Sequence, residues 1–341
     1  MPNHRLKIAG KSVNLHGALV DPNFRAPRVL CNDPWDFVSL WLKREHKDEA
    51  SFYWEQARYF YDATKSLPDM SSPLTSYYCF LNAAKALLTA SGQNFKENHG
   101  VGGRTKGNRR ALDNEVVDFQ GGGILPALCK FLGEPDNAGK DFTLKDLFWQ
   151  IPFIHRAFCL TYKGSTELFI PLVKTRFMRK DGSKEAWFQS EIDKRYISSH
   201  TKDNVRPGFE LFENNGTYEI RRKRRFKWSG RDIEDSLRNF EIYHKQIRRR
   251  IVPIYASGNR WYLKKSVKGH DKIMNSQLVL IFAAMHRLSE LSRYDPILFG
   301  GHFKVNHNWL LSEFIKSAPN QFVYGVASEI TGLEFIKPDA F

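Results

Sequence analysis

SPLTSYYCFLNAAKALLTAS, residues 72–91, is the stretch of the chain that decides its fold. Apolar residues recur in it every three to four positions, at Leu74, Tyr77, Leu81, Ala84 and Leu88. Alanines and a cysteine make the flanks of this stripe apolar as well, and a helix that is apolar nearly all round is a buried one. The sequence therefore predicts a central helix whose end is marked by Gly92.

Helical spacing continues on both sides of this central helix. Asp33 suits an N-cap and Pro34 a first turn, and Pro68 stops a second helix over residues 49–66. Further segments with helical periodicity are 126–132, 144–152, 233–251, 274–288 and 308–316. We therefore expect a mainly helical chain.

The apolar period changes to two between residues 164 and 228. Leucine and isoleucine recur at every second position from Leu168 to Leu172. Asn214-Asn215-Gly216 lies between two such runs, and Asx-Gly in that context is a strong hairpin signal. We predict a meander of about four antiparallel strands here, and a second small hairpin around Ser257-Gly258-Asn259.

Together these patterns indicate an α+β fold, mainly α, in which a helical bundle carries an inserted antiparallel β-meander and a small β-hairpin. We predict an N-terminal arm (1–34), a first helical part (35–163) with a basic glycine-rich loop (93–123), the meander (164–228), and a second helical part (229–341) with a hairpin at 251–264.

The composition favours a folded, reduced cytoplasmic protein. Aromatic residues make up 14% of the 341 residues, which argues against a disordered chain. Neither a secretory signal nor an apolar run of the roughly 20 residues that span a membrane is visible. Cys31, Cys79, Cys129 and Cys159 form no CxxC pair, so we expect no disulfide framework, no metal site and no cofactor.

Positive charge is concentrated in a few places. The chain has a formal net charge of +15, and its densest cluster is residues 221–228, RRKRRFKW. A run of like charges repels itself unless an anion lies against it, so we expect contact with nucleic-acid phosphates; a solvated basic face is the alternative. The expected phosphate ligands are Arg104, Lys106, Arg109, Arg110, Arg221, Arg222, Lys223, Arg224, Arg225, Lys227, Arg248, Arg249 and Arg250.

Catalytic signatures are sparse. The glycine-rich loop follows a predicted helix rather than a strand and matches no phosphate-binding loop motif. Lys85 lies in the most apolar helix, where a snorkelling side chain is the ordinary interpretation and a site shared with His99 and Glu115 is the alternative. His286-Arg287 is assigned to the end of a helix, where cations complement the helix dipole.

A second catalytic candidate is an arginine separated from a histidine by four to six residues, the motif of HEPN-type ribonucleases. There the arginine stabilises phosphoryl charge and the histidine helps to activate the ribose hydroxyl. Arg195–His200 and Arg238–His244 fit this spacing, as about two pairs would by chance. On an unbroken helix Arg238 and His244 lie about 120° apart, so only a helix break or pairing across a dimer would join them.

One set of motifs extends over most of the chain from about residue 35 onward. The most specific part is Ser76-Tyr77-Tyr78, followed by Asn82-Ala83-Ala84-Lys85-Ala86-Leu87-Leu88 and then by His99-Gly100-Val101. The weaker parts are Arg104, Leu112-x-Asn114-Glu115-Val116, Gly123-Ile124-Leu125-Pro126, Trp261-Tyr262-Leu263 and Leu291-Ser292-Arg293-Tyr294-x-Pro296. In this the chain resembles the YaaC-like family, bacterial proteins whose biochemical role is largely undefined. The helix at 72–91 is also loosely similar to the second helix of HEPN domains, which are common in toxins and phage-defence proteins.

The sequence supports three hypotheses about function. The first is a cytoplasmic nucleic-acid-associated protein that binds phosphates through its basic clusters, for which the resemblance implies a setting in bacterial phage defence. The second is a metal-independent endoribonuclease of HEPN type, with either Arg238 and His244 or Lys85, His99 and Glu115 as catalytic residues. The third is a non-catalytic subunit that docks a protein partner or a second copy of itself. None of the three involves a membrane.

Overall fold

The structure is a computed structural model that describes residues 3–8, 10–13, 28–31, 33–107, 109–197, 205, 207–229, 232–256, 260–265 and 273–336. Its α-helices in these residues are α1 (Pro34–Arg44), α2 (Asp48–Lys65), α3 (Ser72–Ala90), α4 (Ile124–Leu132), α5 (Leu144–Trp149), α6 (His155–Thr161), α7 (Ile233–Arg248), α8 (Gln277–Tyr294), α9 (Pro296–His302) and α10 (Asn308–Thr331). Its β-strands are β1 (Asn3–Arg5), β2 (Lys7–Ile8), β3 (Lys11–Ser12), β4 (Arg28–Leu30), β5 (Val101–Thr105), β6 (Glu115–Phe119), β7 (Asp141–Thr143), β8 (Phe169–Lys180), β9 (Glu185–Ile192), β10 (Phe209–Asn214), β11 (Thr217–Arg222), β12 (Phe226–Lys227), β13 (Val252–Ile254), β14 (Arg260–Lys264) and β15 (Glu334–Ile336).

The chain folds into two compact units, and each combines segments that are distant in sequence. The sheet unit contains residues 1–28 and 168–273, and the helical unit contains residues 29–167 and 274–341. The predicted α+β class, with more helix than strand, is confirmed. Within the described part of the chain, the helices lack the combination of length and apolar content that a membrane crossing requires.

Helix α3 is the centre of the helical unit, as its sequence predicts. Its stripe and its flanks are both buried, including Tyr77, Phe80 and Leu87. Helices α2, α8 and α10 pack against it. The helix ends at Ala90, and Gly92 takes a φ of 66°, a left-handed conformation that terminates helices.

Residues 93–123, predicted as a loop, contain two strands of a three-stranded antiparallel sheet, β5-β6-β7. The register places Thr105 opposite Glu115. The loops before β5 and before α4 approach each other closely at Gly100 and Gly123. A Cβ on Gly123 would lie only 2.6 Å from the backbone nitrogen of Gly100. Gly123 also has a φ of 119°, which side chains rarely adopt. This close approach fixes the start of β5 relative to the start of α4.

Helix α10 is longer than the predicted segment 308–316 because it continues through Pro319. A proline inside a helix removes a hydrogen bond and costs about 3 kcal/mol. Packing offsets this cost, since Phe322 beyond the proline stacks on Phe80 of α3 with ring centroids 4.3 Å apart. Local signals end the helix at the proline, and tertiary contacts continue it.

The large sheet of the sheet unit has the strand order β10-β11-β9-β8-β14-β13, with β1 paired to β8. The predicted meander is wrong in one respect, because β11 rather than β10 lies beside β9. Strands β9 and β10 therefore run in the same direction, since each is antiparallel to β11. The hairpin β13–β14 extends the same sheet by pairing with β8.

Helix α7 packs its apolar face on the sheet. Its residues Phe240, Tyr243 and Ile247 share a buried cluster with Phe177 and Ile220 from the strands. The predicted boundaries place this helix and the β13–β14 hairpin in the second helical part, whereas both are in the sheet unit. The apolar stripe of the helix needs the apolar face of the sheet as its partner.

Parts of the sequence predictions fall outside the described residues. Most of the N-terminal arm (1–34), with its residues 14–27, is among them, although β1 and Leu6 join the sheet unit. The turn Ser257-Gly258-Asn259 and His200 also lie outside.

Candidate functional site

Glu115 on β6 is a carboxylate without solvent exposure that is surrounded by hydrogen-bond donors. Arg287 on α8 donates to Oε2 from Nη2 at 2.8 Å and from Nε at 3.2 Å. Thr105 Oγ1 on β5 donates to the same oxygen at 3.0 Å, and His302 Nε2 on α9 lies 3.1 Å from Oε1. Two strands and two helices of the helical unit thus converge on one carboxylate.

The pKa of Glu115 lies below its usual value despite this burial. Burial alone would raise the pKa, but the hydrogen bonds from His302 and Arg287, together with the charge of Arg287, lower it by more. Glu115 is therefore ionised at neutral pH, with the buried Arg287 guanidinium as its counter-ion. Glu290, one turn along α8, accepts a further hydrogen bond from Arg287 Nη1 at 3.0 Å.

A second histidine continues this arrangement inward from His302. His302 Nδ1 lies 3.0 Å from His307 Nε2, and both rings are buried. When both rings are protonated at Nε2, His302 donates to Glu115 and accepts from His307. Burial, and then the neighbouring His302, lower the pKa of His307 to about 4, so this ring is neutral at pH 7.

The opposite end of the arrangement reaches the surface at His99, whose ring is exposed and whose Nδ1 lies 2.6 Å from the Tyr77 hydroxyl. Next to it lies His286, with ring centroids 5.4 Å apart. His286 Nδ1 is 3.9 Å from Glu290 Oε2, and it is a buried nitrogen without a hydrogen-bond partner among the described residues. Burial, and then the charges of His99 and Arg287, lower the pKa of His286 to about 3.

These groups form a continuous series of polar side chains from an exposed imidazole to a buried one. We call it the polar network, and its members are Tyr77, His99, Thr105, Glu115, His286, Arg287, Glu290, His302 and His307. Its buried charges, Glu115 and Arg287, pair with each other, Glu290 is partly exposed, and His99 alone among its imidazoles faces solvent.

Of the three residues predicted as one catalytic set, Lys85 and His99 are related through charge. Lys85 lies close enough to His99 for its charge, after the effect of burial, to lower the pKa of His99. The Lys85 ammonium group pairs with Glu97 and lies 5.3 Å from the centre of the Tyr53 ring. Glu115 is connected to His99 only through the intervening members of the polar network.

The sequence predicts that His286-Arg287 lies at the end of a helix, and it indicates no role for His302 and His307. The structure corrects the first assignment, because α8 continues to Tyr294 and places Arg287 against Glu115. The sequence contains one signal for the role of Arg287: it is a charged residue in an apolar helix, and a buried charge usually requires a partner.

The Arg238–His244 pair is not assembled within the chain. Helix α7 runs unbroken between them, so they lie about 120° apart. Arg238 is exposed, whereas the buried His244 ring packs 5.5 Å from the ring of Phe240. The other match to the motif involves Arg195, which forms an ion pair with Asp193 at 2.8 Å, and His200, which is outside the described residues.

The basic loop is partly neutralised by acids from the neighbouring strands. Arg104 forms ion pairs with Asp118 and Asp141, and Lys106 Nζ lies 3.8 Å from Asp141. Arg109 is exposed. The fourth cation, Arg110, is exposed but lies against α9, where a Cβ on the glycine at 301 would be 2.6 Å from its Cδ.

The densest cluster, residues 221–227, is not one continuous exposed surface. Arg221 and Arg225 both pair with Glu210 on the neighbouring strand, and Arg225 also lies 4.5 Å from the centre of the Trp187 ring. The exposed members are Lys223, Arg224 and Lys227. Arg222 and Arg248 are buried, contrary to the predicted exposed run, since successive side chains of a strand point to opposite faces and α7 turns Arg248 inward. Arg249 is half-buried and Arg250 is exposed.

Arg222 is a buried guanidinium, 3% exposed, and no carboxylate of the described residues is among the groups that shift its pKa. Its Nη2 lies 3.4 Å from Gln246 Oε1, its carbon lies 5.2 Å from the Tyr243 ring centre, and its Nη1 has no hydrogen-bond partner among the described residues. Burial lowers its pKa to about 10; Tyr243 raises it slightly, and the charges of Arg250 and Arg224 lower it further. The charges of Arg224 and Arg250 thus act on Arg222, and we call these three residues the arginine cluster.

These features define an α+β protein with a buried histidine–carboxylate network in one unit and an arginine cluster in the other. A family model described as "YaaC-like Protein" matches residues 27–330, so the chain belongs to that family. Searches of curated proteins and of solved structures found no match.

Proposed function

We propose that the protein binds the phosphate backbone of nucleic acid through the sheet unit, at the arginine cluster and the exposed cations beside it. The observation that carries this proposal is Arg222, a buried charge that feels the like charges of Arg250 and Arg224 and has no anionic partner among the described residues. Proteins rarely bury a charged group without a partner. A phosphate held by the exposed Arg224 would supply negative charge close to it.

The chemistry of the arginine cluster suits a phosphate. A guanidinium offers planar paired donors that match two phosphate oxygens, and such charge-assisted bonds are stronger than neutral ones. Positive charges that lie close together repel each other and raise the free energy of the unbound protein, and a bound anion offsets this repulsion. Lys223 and Lys227 add exposed positive charge on the same short segment as Arg224. The proposal therefore includes phosphate contacts without a base preference.

Fluorescence anisotropy with labelled single-stranded RNA and duplex DNA tests this function. Replacing Lys223, Arg224 and Lys227 together by glutamine should weaken binding at least about tenfold, because three phosphate contacts are lost. The matched control replaces the exposed cations Arg44, Lys47 and Lys163 of the helical unit, which changes the net charge equally. Equal losses in both variants would reduce the effect to net charge and would contradict a site in the sheet unit.

Bacterial phage defence, implied only by resemblance, is the setting that we propose for this binding. An assay of phage infection in cells with and without the gene tests that setting separately from the binding site.

A second candidate function, metal-independent RNA cleavage, is favoured by the solvent-facing His99 ring, whose pKa is lowered by burial and then by the charge of Lys85. In its Nδ1–H tautomer, His99 donates to Tyr77 and presents an unprotonated Nε2 to solvent, which could accept the proton of a ribose 2′-hydroxyl. Lys85 would stabilise the developing phosphoryl charge. This assignment replaces Arg238 and His244 with Lys85 and His99, and a HEPN-like origin of the helical bundle belongs to the same proposal.

Incubation of RNA with the protein in the presence of a chelator tests cleavage. His99→Ala and Lys85→Ala should abolish the activity, and the exposed Arg238→Ala should keep it. Cleavage that persists in His99→Ala would exclude this site. A protein that neither binds nor cleaves RNA or DNA would instead fit the third hypothesis, a protein-interaction subunit.

A further inference from the structure

Three potential metal ligands meet at helix α6 in the helical unit. His155 and Cys159 are four residues apart on that helix and therefore lie on the same face. Glu167 follows after a short loop. The Cys159 Sγ and the Glu167 Oε1 each lie 3.6 Å from His155 Nε2, and one potential ligand atom from each residue lies within 4.8 Å of the other two.

The nitrogen–oxygen distance fits a shared metal ion better than a direct hydrogen bond, and the nitrogen–sulfur distance fits either. A nitrogen–oxygen separation of 3.6 Å is longer than the limit of about 3.2 Å for a good hydrogen bond. A tetrahedral zinc ion, with Zn–N and Zn–O of about 2.0 Å and Zn–S of about 2.3 Å, holds its ligand atoms about 3.3 to 3.6 Å apart. The two separations from His155 Nε2 are thus close to those of a shared zinc ion.

The supporting residues hold the imidazole in the orientation that a metal requires. His155 is buried, and its Nδ1 lies 2.8 Å from the backbone oxygen of Trp149, to which it donates. This bond leaves the lone pair on Nε2, directed at Cys159 and Glu167. Trp149 also holds the loop before Glu167, because its indole Nε1 donates to the Thr166 oxygen at 3.0 Å. One tryptophan therefore positions two of the three ligands.

We propose that His155, Cys159 and Glu167 form a binding site for a zinc-type divalent transition metal. A thiolate and an imidazole select zinc over magnesium or calcium, which prefer oxygen ligands. Three protein ligands leave a fourth coordination position, and the half-exposed Glu167 side chain keeps that position open to water. The absence of paired cysteines in the sequence predicts no metal site, whereas this set contains one histidine, one cysteine and one glutamate.

Titration of the metal-free full-length chain with Zn²⁺ by calorimetry, and with Co²⁺ by absorption spectroscopy, tests the site. We expect one ion per chain and, for Co²⁺, the charge-transfer absorption of a thiolate ligand. Cys159→Ala should abolish that absorption and weaken Zn²⁺ binding by at least about 100-fold, because losing even an outer-sphere partner typically costs 10- to 100-fold. Glu167→Gln should weaken binding at least about tenfold and keep the thiolate absorption.

The matched control is Cys31→Ser. Cys31 is another partly exposed thiol of the helical unit, and it donates a hydrogen bond to the backbone oxygen of Asp33 rather than contacting a histidine. This variant should leave both titrations unchanged. Circular dichroism of each variant establishes that the fold is retained, and the exposed Glu167 variant keeps the test informative if Cys159→Ala is unstable. Absence of Zn²⁺ binding in the folded chain, or unchanged binding in Glu167→Gln and Cys159→Ala, would overturn the proposal.

Discussion

Replacing Glu115 with glutamine would remove the negative charge at the centre of the polar network while keeping the size of the side chain. Arg287 would then be a buried guanidinium whose remaining counter-charge is Glu290, at 3.0 Å. His302 and Thr105 would face a neutral amide that has only one oxygen to accept their hydrogen bonds.

The expected loss of stability follows from this geometry. Breaking a buried ion pair by removing one partner typically costs about 3–5 kcal/mol. Glu290 keeps part of the Arg287 charge compensated, so we expect about 3 kcal/mol. For a unit of this size, each kcal/mol shifts the melting temperature by roughly 2–4 °C, which gives a decrease of about 6–12 °C.

Thermal unfolding followed by circular dichroism measures this change, with Asp62→Asn as the matched control. Asp62 is a half-exposed carboxylate that also pairs with a cation, Lys65 at 2.8 Å, and surface pairs contribute less than about 1 kcal/mol. Adding Arg287→Met to Glu115→Gln should recover part of the loss, since the unpaired charge is removed as well. A Glu115→Gln variant as stable as Asp62→Asn would refute the interpretation that Glu115 is the counter-ion of the buried Arg287.

Three further predictions concern other parts of the molecule. His286 and His307 have folded pKa values of about 3 and 4 against an ordinary 6.5, so the unfolded chain binds more protons below pH 6.5, and stability should fall as the pH drops from 6 to 5. Each ring contributes up to about 1.4 kcal/mol per pH unit to this fall in the free energy of unfolding. In urea unfolding, His286→Asn should decrease the slope of the free energy of unfolding against pH by the equivalent of about one proton. An unchanged slope would contradict the lowered pKa of His286. Arg222→Met should leave the melting temperature unchanged or higher while weakening nucleic-acid binding, because a buried unpaired charge is exchanged for an apolar side chain; a large destabilisation would show that Arg222 is structurally compensated. Gly123→Ala should destabilise the helical unit by more than about 1 kcal/mol in urea unfolding, whereas Gly121→Ala, where the nearest atom to a new Cβ is 3.6 Å away, should not; equal effects would contradict the close-approach argument.

Local signals in the sequence were sufficient for elements that depend on neighbouring residues. The Asp33-Pro34 start of α1 is observed as predicted, with the Asp33 side chain accepting from the Trp35 backbone nitrogen. The burial of α3 on nearly all sides and the turn at Asn214-Asn215-Gly216 are also determined by the residues of the segment itself. These features were predictable because the physical cause lies inside the segment.

The arrangement of these elements depended on contacts between distant residues. Nothing near β10 indicates that β11 would lie beside β9, since the crossover is set by the pairing of whole strands. The continuation of α10 through Pro319 needs the stacking of Phe322 on Phe80. Such contacts are not written in any local pattern.

The candidate site was predictable only in part for the same reason. The motifs indicate His99 and Glu115. Arg287 lies 172 residues from Glu115, and its position in a helix gives no indication of the ion pair with Glu115. The cationic run looked continuous in sequence, whereas strand alternation buries Arg222 and pairs Arg221 with Glu210. Charge density along a chain therefore overestimates the charge that its surface presents.

The salt dependence of duplex DNA binding tests the proposed function most directly. Each neutralised phosphate contributes about −0.9 to the slope of log K against log salt concentration, so glutamine at positions 223, 224 and 227 should make the slope shallower by about 2.7. The control substitutions of Arg44, Lys47 and Lys163 should leave the slope at the wild-type value. An identical slope in all three proteins would contradict a phosphate-binding surface on the sheet unit.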